Sequence, residues 1–124
     1  MARVMFTYEL AERLAPDGVT ATCHCPGLVP VKRSDSSWLA NAMVGLLRLI
    51  PGTRTPDQAA KTMEFLAVSP DASELTGVYF REGRRSDSHP QTHDKAARSR
   101  LWQETLRLTD SPSDPIDRTR RVLA

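Results

Sequence analysis

Only two stretches of this chain read as β-strand, and that shortage constrains the fold more than any other feature. Val19-Thr20-Ala21-Thr22-Cys23-His24-Cys25 is a β-prone run closed by Pro26-Gly27. Gly77-Val78-Tyr79-Phe80 is a shorter second run. Helical patterns flank both, which is the alternation of an α/β protein. A parallel strand needs a neighbour, and two short strands make no independently stable parallel sheet. The expected fold class is therefore α/β, with about four helices and two strands and much of the sheet missing from these residues.

The helices follow from spacing and from their end signals. Phe6, Leu10 and Leu14 recur every four residues with Tyr8 and Ala11 beside them, and Glu9, Glu12 and Arg13 fall on the wetter side. Ala15-Pro16-Asp17-Gly18 ends this helix, but no Ser, Thr, Asp or Asn starts it. Met1-Ala2-Arg3-Val4 already reads as helix interior, with orphan amides. Ser36 or Ser37 can cap a second helix, Trp38 to Leu49, which Pro51-Gly52 stops. Its Leu39, Ala42, Met43, Leu46, Leu47 and Ile50 keep a helical spacing. Thr55-Pro56-Asp57-Gln58 is a capping box with Pro at the first helical position. Ala59, Met63, Leu66 and Ala67 form the stripe of that third helix, and Ser69-Pro70-Asp71 ends it. Residues Arg81 to His93 are polar and read as loop. Asp94 can cap a fourth helix through Leu108, with Ala97, Leu101 and Leu108 on one face and Trp102 and Leu106 on its flank. Residues 110–124, with Pro112, Pro115 and Arg118-Thr119-Arg120-Arg121, have little to bury and are expected to be a disordered tail.

Charge and composition remove several function classes. Seventeen basic residues against 15 acidic ones leave a net charge of +2, which argues against a dedicated nucleic-acid binder. The longest strictly apolar run, Ala42–Leu47, is far short of the roughly 20 residues of a membrane span. No apolar signal-peptide core precedes a cleavage site, and two cysteines make no disulfide framework, so a cytoplasmic location is expected.

Few residue constellations carry chemistry. On a strand, Cys23 and Cys25 share one face and His24 takes the other, so the three cannot meet one metal ion. His89 and His93 have a zinc-compatible spacing only on a helix, which Pro90 interrupts, and no metal site is expected. Ser34, Ser36 and Ser37 lack a nucleophile-elbow pattern, and no Gly-rich phosphate motif occurs. Arg81, Arg84 and Arg85 are interleaved with Glu82 and Asp87 and read as a solvated loop, with an anion contact as the sharper alternative. The remaining candidate is the turn Pro26-Gly27-Leu28-Val29 at the carboxyl end of a strand, where open α/β sheets bind ligands. Pro fixes φ and Gly admits close approach, so the turn can present backbone groups to a flat polar ring.

The order of segments resembles the C-terminal portion of a short-chain dehydrogenase/reductase, of the retinol-dehydrogenase-like group. The resemblance runs through Phe6-Thr7-Tyr8-Glu9-Leu10-Ala11-Glu12-Arg13-Leu14, Gly18-Val19-Thr20 and His24-Cys25-Pro26-Gly27-Leu28-Val29. It continues through Thr55-Pro56-Asp57-Gln58-Ala59-Ala60, Ser69-Pro70, Thr76-Gly77-Val78-Tyr79-Phe80 and Leu101-Trp102. It implies an incomplete Rossmann-type, doubly wound fold over residues 1–109, of which only the C-terminal part is present. It also implies that the first helix is the one bearing the family's Tyr-x-x-x-Lys pair, with that pair falling before Met1. The catalytic Ser and the Gly-rich cofactor turn belong to the earlier half as well, so no catalytic residue is assigned here.

Pro26, Gly27, Leu28 and Val29 match the family loop whose backbone contacts the nicotinamide carboxamide. The family often has a Thr four residues after that Gly, where this chain has Val31. Residues Ser34 to Pro51 match the variable substrate lobe, so Trp38, Leu39, Met43, Leu46 and Leu47 would suit a hydrophobic alcohol or carbonyl. A lobe packed on its own sheet is the alternative for the same face. NAD or NADP is the cofactor the resemblance implies for the parent enzyme, without binding by this chain alone. The first helix lies where family members pack into homo-oligomers. Two other readings are a non-catalytic module that pairs with an intact relative, and a gene remnant.

Overall fold

Helix α1, Ala2–Leu14, begins without a side-chain cap, as its sequence implies. It belongs to a computed structural model that describes residues 1–31 and 37–109, together with Asp114, Ile116 and Arg120. In chain order come β1 (Thr22–Cys25), α2 (Trp38–Leu47), α3 (Pro56–Val68), β2 (Val78–Arg81), β3 (Arg84–Arg85) and α4 (Lys95–Leu108). The strands form one sheet in the order β1-β2-β3, so the α/β expectation holds. Gly77 N–H donates to Ala21 O at 2.8 Å and Glu82 N–H to Cys25 O at 2.9 Å. The partners advance together along both strands, as in a parallel pair.

Among the described residues the strand count differs from expectation, three where the sequence predicts two. The third arises from a two-residue hairpin in which Glu82 (φ 53°) and Gly83 (φ 84°) both take positive φ, the type I′ geometry. Phe80 then pairs with Arg85 and Arg81 with Arg84, antiparallel. The usual signal for this turn is Asn-Gly or Asp-Gly, and Glu at the first position concealed it. Part of the remaining polar stretch forms a short 3-10 turn, Pro90–His93, with Pro at its start. The cap assignments hold: Thr55 and Gln58 form the reciprocal capping box of α3, and Asp94 Oδ1 accepts from Ala97 N–H at 3.1 Å. Ser37 Oγ caps α2 by accepting from Ala40 N–H at 3.3 Å. Ser34, Ser36 and most of the expected disordered tail lie outside the described residues.

The described residues group into two units. Residues 1–23, 74–79 and 87–124 form the first, and 24–73 with 80–86 the second. In the first, Tyr8, Ala11, Val78 and Trp102 are buried. Phe6 stacks on Trp102 with ring centroids 4.9 Å apart, and the Arg13 guanidinium lies 4.6 Å from the Trp102 ring. Two helix faces are corrected here. Glu9 is buried, and Arg13 holds it at 2.7 Å. Helix α4 buries Arg98 and Trp102, whereas Leu108 is exposed. Arg98 reaches Glu12 at 2.7 Å, and that bond keeps the Glu12 carboxyl below its ordinary range.

In the second unit Phe80, Thr62 and Ala72 are buried, and Phe65 meets Phe80 with centroids 6.4 Å apart. Helix α3 turns Thr62 inward and leaves Met63 and Ala67 of the expected stripe exposed. Gly83 sits tightly in this unit. A Cβ there would stand 2.9 Å from Arg54 Nη1 and 3.2 Å from Thr62 Oγ1. Gly83→Ala is expected to cost about 1–2 kcal/mol from positive φ alone, read as a lower midpoint in urea unfolding. An unchanged midpoint would contradict the hairpin geometry.

Candidate functional site

The turn after β1 is built from both ends. Cys25 O is taken by the Glu82 amide, after which Pro26 and then Gly27, at φ 78°, redirect the chain. A Cβ at Gly27 would stand 2.8 Å from Glu82 Cγ, so the backbone runs against the hairpin where only glycine fits unstrained. Beyond it, Leu28 O accepts from the Arg54 amide at 2.9 Å and Pro30 O from the Arg48 guanidinium at 3.3 Å. Two carbonyls thus pin the loop from outside. Among the described residues the amides of Gly27, Leu28 and Val29 make no hydrogen bond. The four residues Pro26–Val29 therefore form a turn held through the carbonyls of Cys25, Leu28 and Pro30. Val31, beyond buried Pro30, is exposed and brings no hydroxyl.

His24 precedes this turn, and its Nε2 is enclosed without a partner among the described residues. Burial first, and the Arg54 charge second, hold its pKa below the ordinary value. A lowered folded pKa means that the unfolded chain binds the proton more readily. The stability is therefore complete above the unfolded value near pH 6.5 and falls as the solution is acidified toward the folded value. Thermal melts should show a Tm lower at pH 5.5 than at pH 7.5, with a smaller difference in His24→Asn. An equal difference in both proteins would refute the assignment. The Cys23 thiol is pushed up by burial, with its Sγ 4.0 Å from Val78 O. Both cysteines are free.

The two loop histidines have structural partners. His89 Nδ1 accepts from Gln91 N–H at 3.3 Å, while His93 stacks on Tyr8 at 5.1 Å and lies 3.2 Å from Ser88 Oγ. Tyr8 is buried with its hydroxyl 2.9 Å from Ser88 Oγ. Among the described residues no three His, Cys, Asp or Glu side chains cluster as metal ligands. The apolar face of α2 is not packed: Trp38 is 79% exposed, Met43 62% and Leu46 67%. Arg81, Arg84 and Arg85 line an open cleft with Arg54 and Lys61. Those last two residues are distant in sequence from the arginine cluster, and no local spacing pointed to them.

No helix among the described residues is long and apolar enough to cross a membrane. No family model matches the chain, and no solved structure matches it. Curated proteins do. The chain is 31% identical over 116 residues to the WW domain-containing oxidoreductase of Danio rerio, across 93% of this chain and 28% of that protein. It is 30% identical over 112 residues to retinol dehydrogenase 13 of Mus musculus, across 87% of this chain and 34% of that one. With retinol dehydrogenase 12 of Mus musculus the identity is 32% over 108 residues, again 87% of this chain and 34% of the relative. The chain spans about a third of the length of the curated relatives it matches, and the matches fall in their C-terminal part.

Proposed function

We propose that the chain, which is similar to the C-terminal portion of retinol-dehydrogenase-like short-chain dehydrogenases/reductases, supplies two walls of such an oxidoreductase site. One wall is the turn Pro26–Val29, facing the nicotinamide of NAD or NADP. The other is α2, facing an apolar alcohol or carbonyl. The observation that carries the reading is the turn itself: pinned at Leu28 O, without a Cβ at Gly27, and with amides at Gly27, Leu28 and Val29 that make no hydrogen bond among the described residues.

A carboxamide is a planar group with its own donor and acceptor, and a pinned backbone turn can pair with both. Gly27, Leu28 and Val29 would hold it, and Arg54 would keep the turn in place through the Leu28 carbonyl. When bound, the nicotinamide ring supplies or accepts the hydride. The chain's own residues position that ring and present apolar surface to the substrate. The proton is not theirs to move. No Tyr-x-x-x-Lys and no G-x-G-x-x-G occurs in the 124 residues, so the chain alone lacks the acid–base pair and the pyrophosphate cradle. Helix α1 is proposed as the contact for homo-oligomers of the larger assembly.

A chimera tests this reading. Residues 1–109 replace the matching segment of mouse retinol dehydrogenase 13, and oxidation of retinol is followed with NAD and NADP. The chimera should turn over, and Gly27→Val within it should raise the KM for cofactor by about tenfold or more. A folded but inactive chimera, or an active one indifferent to Gly27→Val, would overturn the proposal.

A further inference from the structure

The basic cleft of the second unit borders the turn described above through Arg54 and Glu82, but the reading of its charge does not depend on the proposed function. It has a volume of about 1160 Å³ and is bordered by α3 and the β2–β3 hairpin. Arg54, Lys61, Arg81, Arg84 and Arg85 line it against a single carboxylate, Glu82. That carboxylate lies 3.6 Å from Arg81 Nε and offsets one charge. Lys61, Arg84 and Arg85 make no ion pair or side-chain hydrogen bond among the described residues.

Two features separate this cleft from a casual scatter of surface cations. Arg54 is held in place: its Nη2 donates to Gln58 O at 3.3 Å, and its guanidinium lies over Gly83, where no side chain intervenes. The hairpin register also sets Arg81 directly opposite Arg84. Like charges in a cross-strand pair repel and weaken a hairpin, and an anion between them removes that cost. A single carboxylate would leave most of the positive charge uncompensated. A phosphate-bearing anion with several charges matches it, because guanidinium groups pair with phosphate oxygens in a bidentate fork. The volume exceeds what one inorganic phosphate fills and lies just above the roughly 300–1,000 Å³ of organic ligand sites. Phe65, half in the open beside buried Phe80, gives that ligand an apolar surface.

We propose that this cleft is a binding site for an organic phosphate carrying two or more negative charges. Arg84, Arg85 and Lys61 engage the phosphate oxygens, and Phe65 meets the organic part.

The test titrates the full 124-residue chain at low salt with ATP in one arm. The other arm uses phosphatidylcholine vesicles carrying a phosphoinositide, so that a soluble phosphate and a lipid headgroup are told apart. Saturable binding in either arm is expected, weakened about tenfold or more in Arg84→Gln/Arg85→Gln. Lys61→Gln, on a separate element, should weaken it about threefold or more. Arg3→Gln/Arg100→Gln removes the same charge from exposed positions of the first unit and should change affinity by less than about twofold. No saturable binding in either arm, or equal weakening by both double variants, overturns the proposal.

Discussion

Trp102→Ala is expected to lower the stability of the chain by about 3–5 kcal/mol. Trp102 is 4% exposed and joins three interactions at one point. Phe6 stacks on it, the Arg13 guanidinium lies over its ring, and its Nε1–H donates to Asp114 Oδ2 at 2.9 Å. Truncation opens a cavity the size of an indole and removes a donor from a carboxylate that Arg13 also holds at 2.9 Å. A domain of this size has only about 5–15 kcal/mol in total, so the variant loses much of its margin. Leu108→Ala, six residues on along the same helix, removes an exposed side chain and should change stability by no more than about 0.5 kcal/mol. Urea unfolding followed by circular dichroism separates the two. Equal effects would mean that α4 does not present the Trp102 face to α1.

The same helix shows where the sequence is legible and where it is not. Element type and ends were readable because capping is local: Thr55 with Gln58, Asp94 with Ala97 and Ser37 with Ala40 are contacts across three residues. Which face turns inward is decided by distant partners. Arg98 is buried because Glu12, 86 positions away, reaches it, and Glu9 is buried because Arg13, which also lies over the Trp102 ring, neutralises it. Hydrophobic spacing takes both charged residues for the wet side. The third strand was concealed for a local reason, a glutamate in the left-handed region that seldom holds one.

The candidate turn was visible as Pro26-Gly27, since its two special residues are adjacent in sequence. What pins it was not visible, because Arg54 comes from the segment between α2 and α3. The basic cleft was visible only in part, as the cluster Arg81, Arg84 and Arg85. Its two remaining cations arrive through tertiary placement.

Hydride transfer by the purified 124-residue chain is expected to be absent, and this is the larger of the two effects in rate terms. Positioned acid–base groups contribute about 10²–10⁴-fold to such reactions, and a chain without the Gly-rich turn has no cradle for the cofactor's pyrophosphate. The measurement is the change in reduced cofactor absorbance, with NAD and retinol in one direction and NADH or NADPH and apolar aldehydes in the other. If these residues carry walls of the site without its acid–base pair, the rate equals that of protein-free solution at every chain concentration. Turnover that saturates with cofactor, scales with the chain and is lost in Gly27→Val would contradict that division of labour.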